Sequence, residues 1–406
     1  MKIKKITSII IAALLLTLSM SSVFASAATD KISGVMSDEE REQMSEMFGS
    51  DEIFDEKARE IILRAEFLEV SDIKQMDRTH DGKFAATWNN YNILCKEFDA
   101  MDAKNATSVP SSHDLTSIAP LPRTQGGLSS CVSWAVTYVA LSVREAQRRG
   151  WTPRQENHIF SPSYSYNSIV KGKNRGTTLP ETFYFVASKG ACTIKYFPIS
   201  TTDCSTQPND TQKAAAALYK GNEWLWMSGV NNFKKQISEG NVVVINIYTH
   251  PDFKNISQSN PVFDVALSSS SGLGRHAIAL IGYDDSMGEN GAFKFINSWG
   301  TGWGLNGYGW ISYDLMNNTK VMVSRDGLMF TDYSADDYIM GDVDENGSVT
   351  VDDSRAVMRY SVNSETPTAR QYVLSDVNGD GAVTVDDARA ILRFSTGNDA
   401  KLPIYN

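Results

Sequence analysis

Residues 297–308 read Asn-Ser-Trp-Gly-Thr-Gly-Trp-Gly-Leu-Asn-Gly-Tyr and form the most informative stretch of the chain. Strand-like runs flank them at 292–296 and 308–313, so Asn297 stands at the end of a strand. Further strand-like runs occur at 242–248 and 277–282. Because helical patterns precede these strands instead of alternating with them, the pattern predicts an α+β domain.

Two other residues in this region carry reactive groups. His276 directly precedes the run 277–282, so its ring projects from a strand end. Cys131 begins a helical run that reaches about residue 149, and a helix N-terminus lowers a thiol pKa and offers free amides to an oxyanion. On residue type alone, an inert core cysteine is the commoner interpretation of Cys131, and its partners change that weighting.

The sequence resembles the papain family of cysteine peptidases in three separated patches, which follow one another in the order found in that family. The patches are Gln125 to Cys131, His276-Ala277 and 297–308. The resemblance spans about 109–333, and the spacing from Cys131 to His276 fits papain-type enzymes. It implies a two-lobed fold, with a helical lobe and a β-barrel-like lobe.

The resemblance also implies the role of each site residue. Cys131 attacks the peptide carbonyl, and His276 serves as general base and then general acid. Asn297 orients the imidazole, while Gln125 and the backbone N–H of Cys131 stabilise the oxyanion. We assign two more residues to the substrate-binding cleft, Gly176 and Trp299. Gly176 lies where the substrate backbone runs along the cleft, with an ordinary loop glycine as the equal alternative. Trp299 shields the Asn297–His276 hydrogen bond from water.

The nucleophile's surroundings depart from the familiar family pattern. Leu128-Ser129-Ser130 replaces Cys-Gly-Ser, Val132 replaces tryptophan, and Trp134 follows two positions later. The changes bear on substrate preference, since none touches a reacting atom. Cys192 and Cys204 either pair or remain two buried thiols, and the sequence leaves both open.

The last segment holds an internal repeat, DVDENGSVTVDD at 342–353 and DVNGDGAVTVDD at 376–387, each followed by a helical pattern. Each copy has the spacing of a twelve-residue calcium loop, with glycine at position 6 and aspartate at position 12. An EF-hand also needs a helix before each loop, and no long amphipathic helix precedes the first. The predicted ligands are Asp342, Asp344, Asn346, Ser348, Asp353, Asp376, Asn378, Asp380, Ala382 and Asp387.

This duplicated loop–helix, at about 340–398, resembles a dockerin, a small all-α module that binds a cohesin domain on a scaffold protein. The resemblance implies two Ca²⁺ ions and a cohesin partner. It assigns the cohesin contacts to Val351, Asp352, Arg359, Val385, Asp386 and Arg393, for which a solvated helix face is the alternative.

The N-terminal part carries an export pattern. Three lysines precede an apolar run from Ile6 to Met20, followed by Ala25-Ser26-Ala27, so residues 1–27 are expected to be a signal peptide and the protein to be secreted. The acidic segment 28–106 has helical spacing and occupies a propeptide position. A permanent N-terminal extension and a separate binding module are the alternatives.

The domain map is thus a signal peptide at 1–27, a propeptide at 28–106, a peptidase domain at 107–333, a linker at 334–339, a dockerin at 340–398 and a tail at 399–406. A net charge of −10 argues against a nucleic-acid binder, and no mature segment is apolar enough to span a membrane. The sequence favours a cysteine endopeptidase on a cellulosome-type scaffold, with no cofactor in the catalytic domain. Non-catalytic peptide binding, protease inhibition and acyl transfer are the alternatives.

Overall fold

The computed structural model describes residues 109–330 and 338–405, apart from 222–223, 266–272, 319 and 324–325, together with Asp102 and Ala106. The predicted signal peptide and almost all of the predicted propeptide lie outside the described residues. So does most of the predicted linker. In the part of the chain that is described, no helix combines the length and apolar character needed to cross a bilayer.

Apart from the short strand Ser112–Asp114, the first half of the larger domain is helical. The long helix α1 joins three segments: Cys131–Ser133, a π-helical Trp134–Leu141 and Ser142–Arg149. It ends at Gly150, which has the left-handed conformation typical of a helix C-terminus. The remaining helices of this domain are α2 (Pro162–Val170), α3 (Leu179–Lys189), α4 (Asp210–Ala217), α5 (Val230–Ser238) and α6 (Pro251–Lys254).

One eight-stranded sheet packs against these helices. Its strands are β1 (Ser112–Asp114), β2 (Trp224–Ser228), β3 (Val243–Tyr248), β4 (Val262–Phe263), β5 (Arg275–Asp284), β6 (Ala292–Ile296), β7 (Tyr308–Ser312) and β8 (Asp326–Phe330). Their order is β2-β8-β3-β5-β6-β7-β4, and β1 pairs with β5. The pairs are antiparallel except for β4 with β7.

The predicted α+β class is confirmed, with one correction to the β lobe. A barrel closes only when its two edge strands pair, and here the edges are β2 and the two-residue β4. Within the described strands the sheet therefore stays open, although a barrel-like lobe was expected.

Among its described residues, the C-terminal domain has three α-helices and two loops. The helices are α7 (Val351–Ser361), α8 (Ala369–Ser375) and α9 (Val385–Ser395). Thr350 and Thr384, at position 9 of each loop, cap α7 and α9, and in both cases an aspartate at N3 completes a capping box. The sequence repeat thus appears as a structural repeat, and α7 packs against α9.

The two domains share one hydrophobic core. Buried residues of the C-terminal domain, among them Val343, Val377 and Ile404, belong to the same apolar cluster as the core of the larger domain. Helix α4 packs against α8. The Arg149 guanidinium also lies 5.7 Å from the centre of the Tyr338 ring, within reach of a cation–π interaction.

Asp102 caps a helix that begins more than a hundred residues later. Its carboxylate accepts hydrogen bonds from the backbone N–H of Asn232 at 2.8 Å and from the side-chain amide of Asn231 at 3.1 Å. Helix α5 begins after Gly229, which has no side chain to serve as its own cap. Asp102 therefore supplies from a distance the acceptor that an N-cap residue normally provides.

Candidate active site

The structure brings Cys131, His276 and Asn297 together from three elements. Cys131 is the first residue of α1, His276 is the second residue of β5, and Asn297 directly follows β6. The start of α1 packs against β5, and β5 pairs with β6. The fold thus places the N-terminus of a helix against two strand ends.

His276 and Asn297 form a short hydrogen bond in a buried setting. The distance from His276 Nε2 to Asn297 Oδ1 is 2.7 Å, and the same oxygen accepts the Ser298 N–H at 2.8 Å. A carboxamide oxygen only accepts, so His276 Nε2 carries the proton. In the neutral imidazole Nδ1 is then the basic nitrogen.

The surroundings of Cys131 combine burial with backbone donors. Burial raises the pKa of the Cys131 thiol, while the backbone N–H groups of Ala277, Val132 and Cys131 itself work in the opposite direction. No side chain caps the start of α1, so its amides stay available for an anion. The predicted amide donors are present, but the lowered thiol pKa expected at a helix N-terminus is outweighed by burial.

His276 is also held neutral. Burial lowers its pKa to about 4, and the hydrogen bond with Asn297 only partly opposes this. Burial therefore disfavours the charged form of both groups, since it raises the pKa of the Cys131 thiol and lowers that of the His276 imidazole.

A group of aromatic rings covers the histidine. The Trp299 ring lies 4.8 Å from the His276 ring, tilted by 30°. Phe253 of α6 lies 6.1 Å from His276 and 5.5 Å from Trp299. These rings lie beside the buried His276, in the place where Trp299 was expected to shield the His276–Asn297 bond. The sequence analysis missed Phe253, because its helix is a single turn and no pattern ties it to the site.

Gln125 is held in place by the strand-end loop that contains Asn297. Its Oε1 accepts the Ser298 hydroxyl at 2.6 Å, and its Nε2 donates to the Leu128 carbonyl at 2.7 Å. Its backbone N–H also donates to the Ser298 carbonyl at 2.9 Å. One Nε2 hydrogen stays available for an oxyanion. The sequence analysis did not single out Ser298, although it stands inside the most informative motif.

Gly176 lies on an exposed strip beside the nucleophile loop. A side chain added at Gly176 would meet only open space, so this strip can accept an extended chain. The strip is tied to the nucleophile loop by Asn174, whose Oδ1 accepts the Ser129 N–H at 2.9 Å and the Tyr166 hydroxyl at 2.7 Å. Asn174 is a second residue that the sequence analysis missed.

Cys192 and Cys204 are free thiols and both are buried. Of the two readings the sequence left open, the structure therefore favours buried thiols. Burial raises the pKa of Cys192 well above its usual value, so this group stays protonated and inert.

The two C-terminal loops offer the oxygen donors that Ca²⁺ prefers. Carboxylate oxygens of Asp342, Asp344 and Asp353 all lie within 4.8 Å of one another. In the second loop, burial raises the pKa of Asp376 to about 6. Asp387 Oδ1 there is buried with no hydrogen-bond partner among the described residues. A buried acceptor without a donor is what a metal ligand looks like before the cation binds, so these residues fit calcium.

The predicted cohesin contacts lie on the surface of α7 and α9, where Val385 is 42% exposed. Both arginines already have intramolecular partners. Arg359 pairs with Glu365 at 2.6 Å and Arg393 with Asp399 at 2.7 Å. The structure thus leaves the predicted face accessible and holds its two arginines in fixed positions.

Comparisons with known proteins agree with this geometry. The family model described as papain family cysteine protease matches residues 122–326, and that of the dockerin type I domain matches residues 340–394. The chain is 24% identical over 223 residues to Peptidase 1 of Euroglyphus maynei, a match that covers 52% of this chain and 63% of that relative. It is 23% identical to Peptidase 1 of Dermatophagoides pteronyssinus, a match that covers 57% of this chain and 72% of that relative.

Two solved structures are also similar. Xylellain, a cysteine protease from Xylella fastidiosa, matches with a TM-score of 0.47 and 22% identity, over 56% of this chain and 88% of that one. The bromelain protease from Ananas comosus matches with a TM-score of 0.45 and 17% identity, over 55% of this chain and 100% of that one. Since the first family model alone spans half of the chain, the protein belongs to the papain family of cysteine proteases and carries a type I dockerin domain after its papain-family domain.

Proposed function

We propose that this protein is a secreted cysteine endopeptidase that hydrolyses peptide bonds through Cys131, His276 and Asn297. The observation that carries the proposal is the 2.7 Å bond between His276 Nε2 and Asn297 Oδ1, next to a cysteine at a helix N-terminus. This bond fixes the tautomer, and it leaves Nδ1 as the base for the thiol.

The reaction follows from these positions. The thiol proton moves to His276 Nδ1 as the sulfur of Cys131 attacks the substrate carbonyl carbon. The oxyanion is stabilised by the Cys131 N–H and by the free hydrogen on Gln125 Nε2. His276 then protonates the leaving amine, which breaks the peptide bond and leaves a thioester. Water, deprotonated by His276, cleaves the thioester and restores the thiol.

The dockerin supports a second part of the proposal, attachment to a cohesin on a cellulosome-type scaffold. Residues 342–353 and 376–387 each hold one Ca²⁺, and calcium stabilises the loops that present α7 and α9. Bound calcium neutralises loop acids that otherwise repel one another. The enzyme is thereby placed next to other scaffold-bound proteins.

The N-terminal segment completes the proposal. Residues 28–106 act as an inhibitory propeptide that is removed after export, as their position before the papain-type domain suggests. Their acidic, helical pattern supports this role, and residues 1–27 direct the export.

Peptide hydrolysis under reducing conditions tests the proposal. Three forms are compared, starting at Ala28, Met101 and Thr107, each with a Cys131→Ala partner. We expect activity only in the two shorter wild-type forms, with a loss of at least about a thousandfold on Cys131→Ala. Equal activity in all wild-type lengths would reject the propeptide and keep the peptidase.

Two other outcomes identify the alternatives. If no form cleaves any peptide of a broad library in the presence of calcium, the remaining functions are peptide binding and protease inhibition without turnover. Products whose mass shows transfer to an added amine, and not to water, would identify acyl transfer by the same three residues.

A further inference from the structure

The two calcium loops are near copies inside the dockerin. In the first loop, Asp342 accepts hydrogen bonds from the Asn346 N–H at 3.1 Å and the Gly347 N–H at 2.8 Å. In the second loop, Asp376 accepts the N–H groups four and five residues later, at 3.1 and 2.8 Å. Within the dockerin, the first ligand of each loop is therefore held in the same way.

The papain-family domain breaks this symmetry. The Tyr196 hydroxyl donates to Asp376 Oδ2 at 2.7 Å, and Asn157 Nδ2 donates to the Asn378 carbonyl at 3.0 Å. Among the described residues, none from the papain-family domain forms a hydrogen bond with the first loop. Glu345 of that loop pairs with Arg370, which belongs to the dockerin itself, at 2.9 Å. Within the described part of the chain, the second loop thus has two hydrogen bonds from outside its own domain and the first has none.

Tyr196 is itself firmly placed. Its backbone N–H donates to the Thr193 carbonyl at 3.1 Å, and its carbonyl accepts Gln212 Nε2 at 2.7 Å. Gln212 belongs to α4, which packs against α8, and Asp376 is the residue that ends α8. Tyr196 is therefore hydrogen-bonded to α4, and Asp376 directly follows α8, the helix that packs against α4.

We propose that the papain-family domain clamps the second calcium loop through Tyr196 and Asn157, so that calcium in this loop and the contact between the domains stabilise each other. A donor that fixes the orientation of a ligand carboxylate raises metal affinity, typically by ten- to a hundredfold. Because such coupling is reciprocal, calcium in the second loop tightens the domain contact by the same factor. The two loops, alike in sequence, therefore differ in calcium affinity.

Calcium affinity of the full chain tests the clamp without any measurement of proteolysis. In an Asp342→Asn background, which silences the first loop, competition with a chelating dye reports the second loop. We expect Tyr196→Phe to weaken calcium binding about tenfold there. Asn157→Ala weakens it too, and serves as an independent variant should Tyr196→Phe fold poorly.

Two controls separate the clamp from general destabilisation. Tyr138→Phe removes a buried hydroxyl that donates to the Leu121 carbonyl at 2.6 Å, and should leave calcium affinity unchanged. In an Asp376→Asn background, which silences the second loop, Tyr196→Phe should leave the first loop unchanged. Unchanged affinity of the second loop in Tyr196→Phe and Asn157→Ala, or no calcium binding there at all, would overturn the proposal.

Hydrogen exchange gives the reciprocal readout. In the full chain, calcium should raise amide protection in α4 and around Tyr196, and Tyr196→Phe should remove most of that gain. Protection that rises only within the dockerin would contradict a clamp.

Discussion

Ser298 joins the two halves of the site. Its backbone N–H donates to the Asn297 oxygen that holds His276, and its hydroxyl donates to the Gln125 oxygen. One residue therefore orients both the proposed base and the proposed oxyanion donor. Ser298 holds the Gln125 side chain with its hydroxyl, whereas it holds Asn297 with its backbone N–H. A mutation of the Ser298 side chain can therefore remove the first contact and leave the second.

Ser298→Ala should lower kcat about tenfold and leave KM nearly unchanged. The hydroxyl fixes the Gln125 amide, and a misplaced oxyanion donor weakens the transition state more than the ground state. Steady-state kinetics on a peptide substrate measures this. Ser188→Ala, which removes a hydroxyl that donates to the Tyr184 carbonyl in α3, is the matched control. A rise in KM with kcat preserved would contradict the positioning role.

The buried His276 should make stability depend on pH. Burial lowers its pKa to about 4, whereas the unfolded residue titrates near 6.5. The folded state therefore binds fewer protons between these values, and stability that is complete above about pH 6.5 is lost as the pH falls towards 4. A shift of this size amounts to about 3 kcal/mol.

Denaturant unfolding at pH 7.5 and pH 4, with saturating calcium and in a Cys131→Ala background, measures this. His276→Gln stays neutral and can still donate to Asn297, so its stability should fall by about 3 kcal/mol less over the same range. Equal losses in the two proteins would show that His276 titrates normally when folded.

At the scale of elements, much of the site was predictable because local chemistry positions it. The motif at 297–308 predicted Asn297 after a strand, and the repeat predicted ten ligand positions by spacing alone. Phe253, Asn174 and Tyr196 were not predictable, because their partners are distant in sequence and only the packed fold brings them together. The π-helical turn at Trp134–Leu141 was equally hidden, since its residues read as an ordinary apolar helix.

Asp102 makes a prediction about α5. Asp102→Ala should destabilise the protein by about 1 kcal/mol, the usual effect of losing a helix N-cap acceptor. Asp102→Asn keeps an acceptor and should change stability by a smaller amount. Denaturant unfolding of the form that begins at Met101 compares the three proteins. Equal stability of the alanine variant and the parent would mean that solvent caps α5 just as well.

At the scale of the whole molecule, the shared core sets how the dockerin is presented. Exposed apolar side chains remain on α7 and α9, including Met358 at 40% and Leu392 at 40%. Val385 of the second copy is exposed as well, although the second loop contacts the papain-family domain. Both copies of the predicted cohesin face are therefore accessible in the same chain.

Cohesin binding should therefore survive the loss of either copy. Replacing Val351 and Asp352, or Val385 and Asp386, should weaken binding only slightly, because the other copy still docks. Replacing both pairs should abolish it. Surface plasmon resonance on a panel of cohesins measures this, with calcium present and again with excess chelator. Full binding by the fourfold variant, or binding retained in chelator, would rule out this face.

The carboxylate of Asp102 also bears on where maturation should cut the chain. Cleavage after this residue would remove the cap of α5 together with the proposed propeptide, so the released form would be less stable. Cleavage before it would keep α5 capped for the lifetime of the enzyme. The two cleavage positions would thus give two mature forms with the same catalytic centre but different stability, according to whether Asp102 is kept. The N-terminal residue of the mature protein would show which form is made.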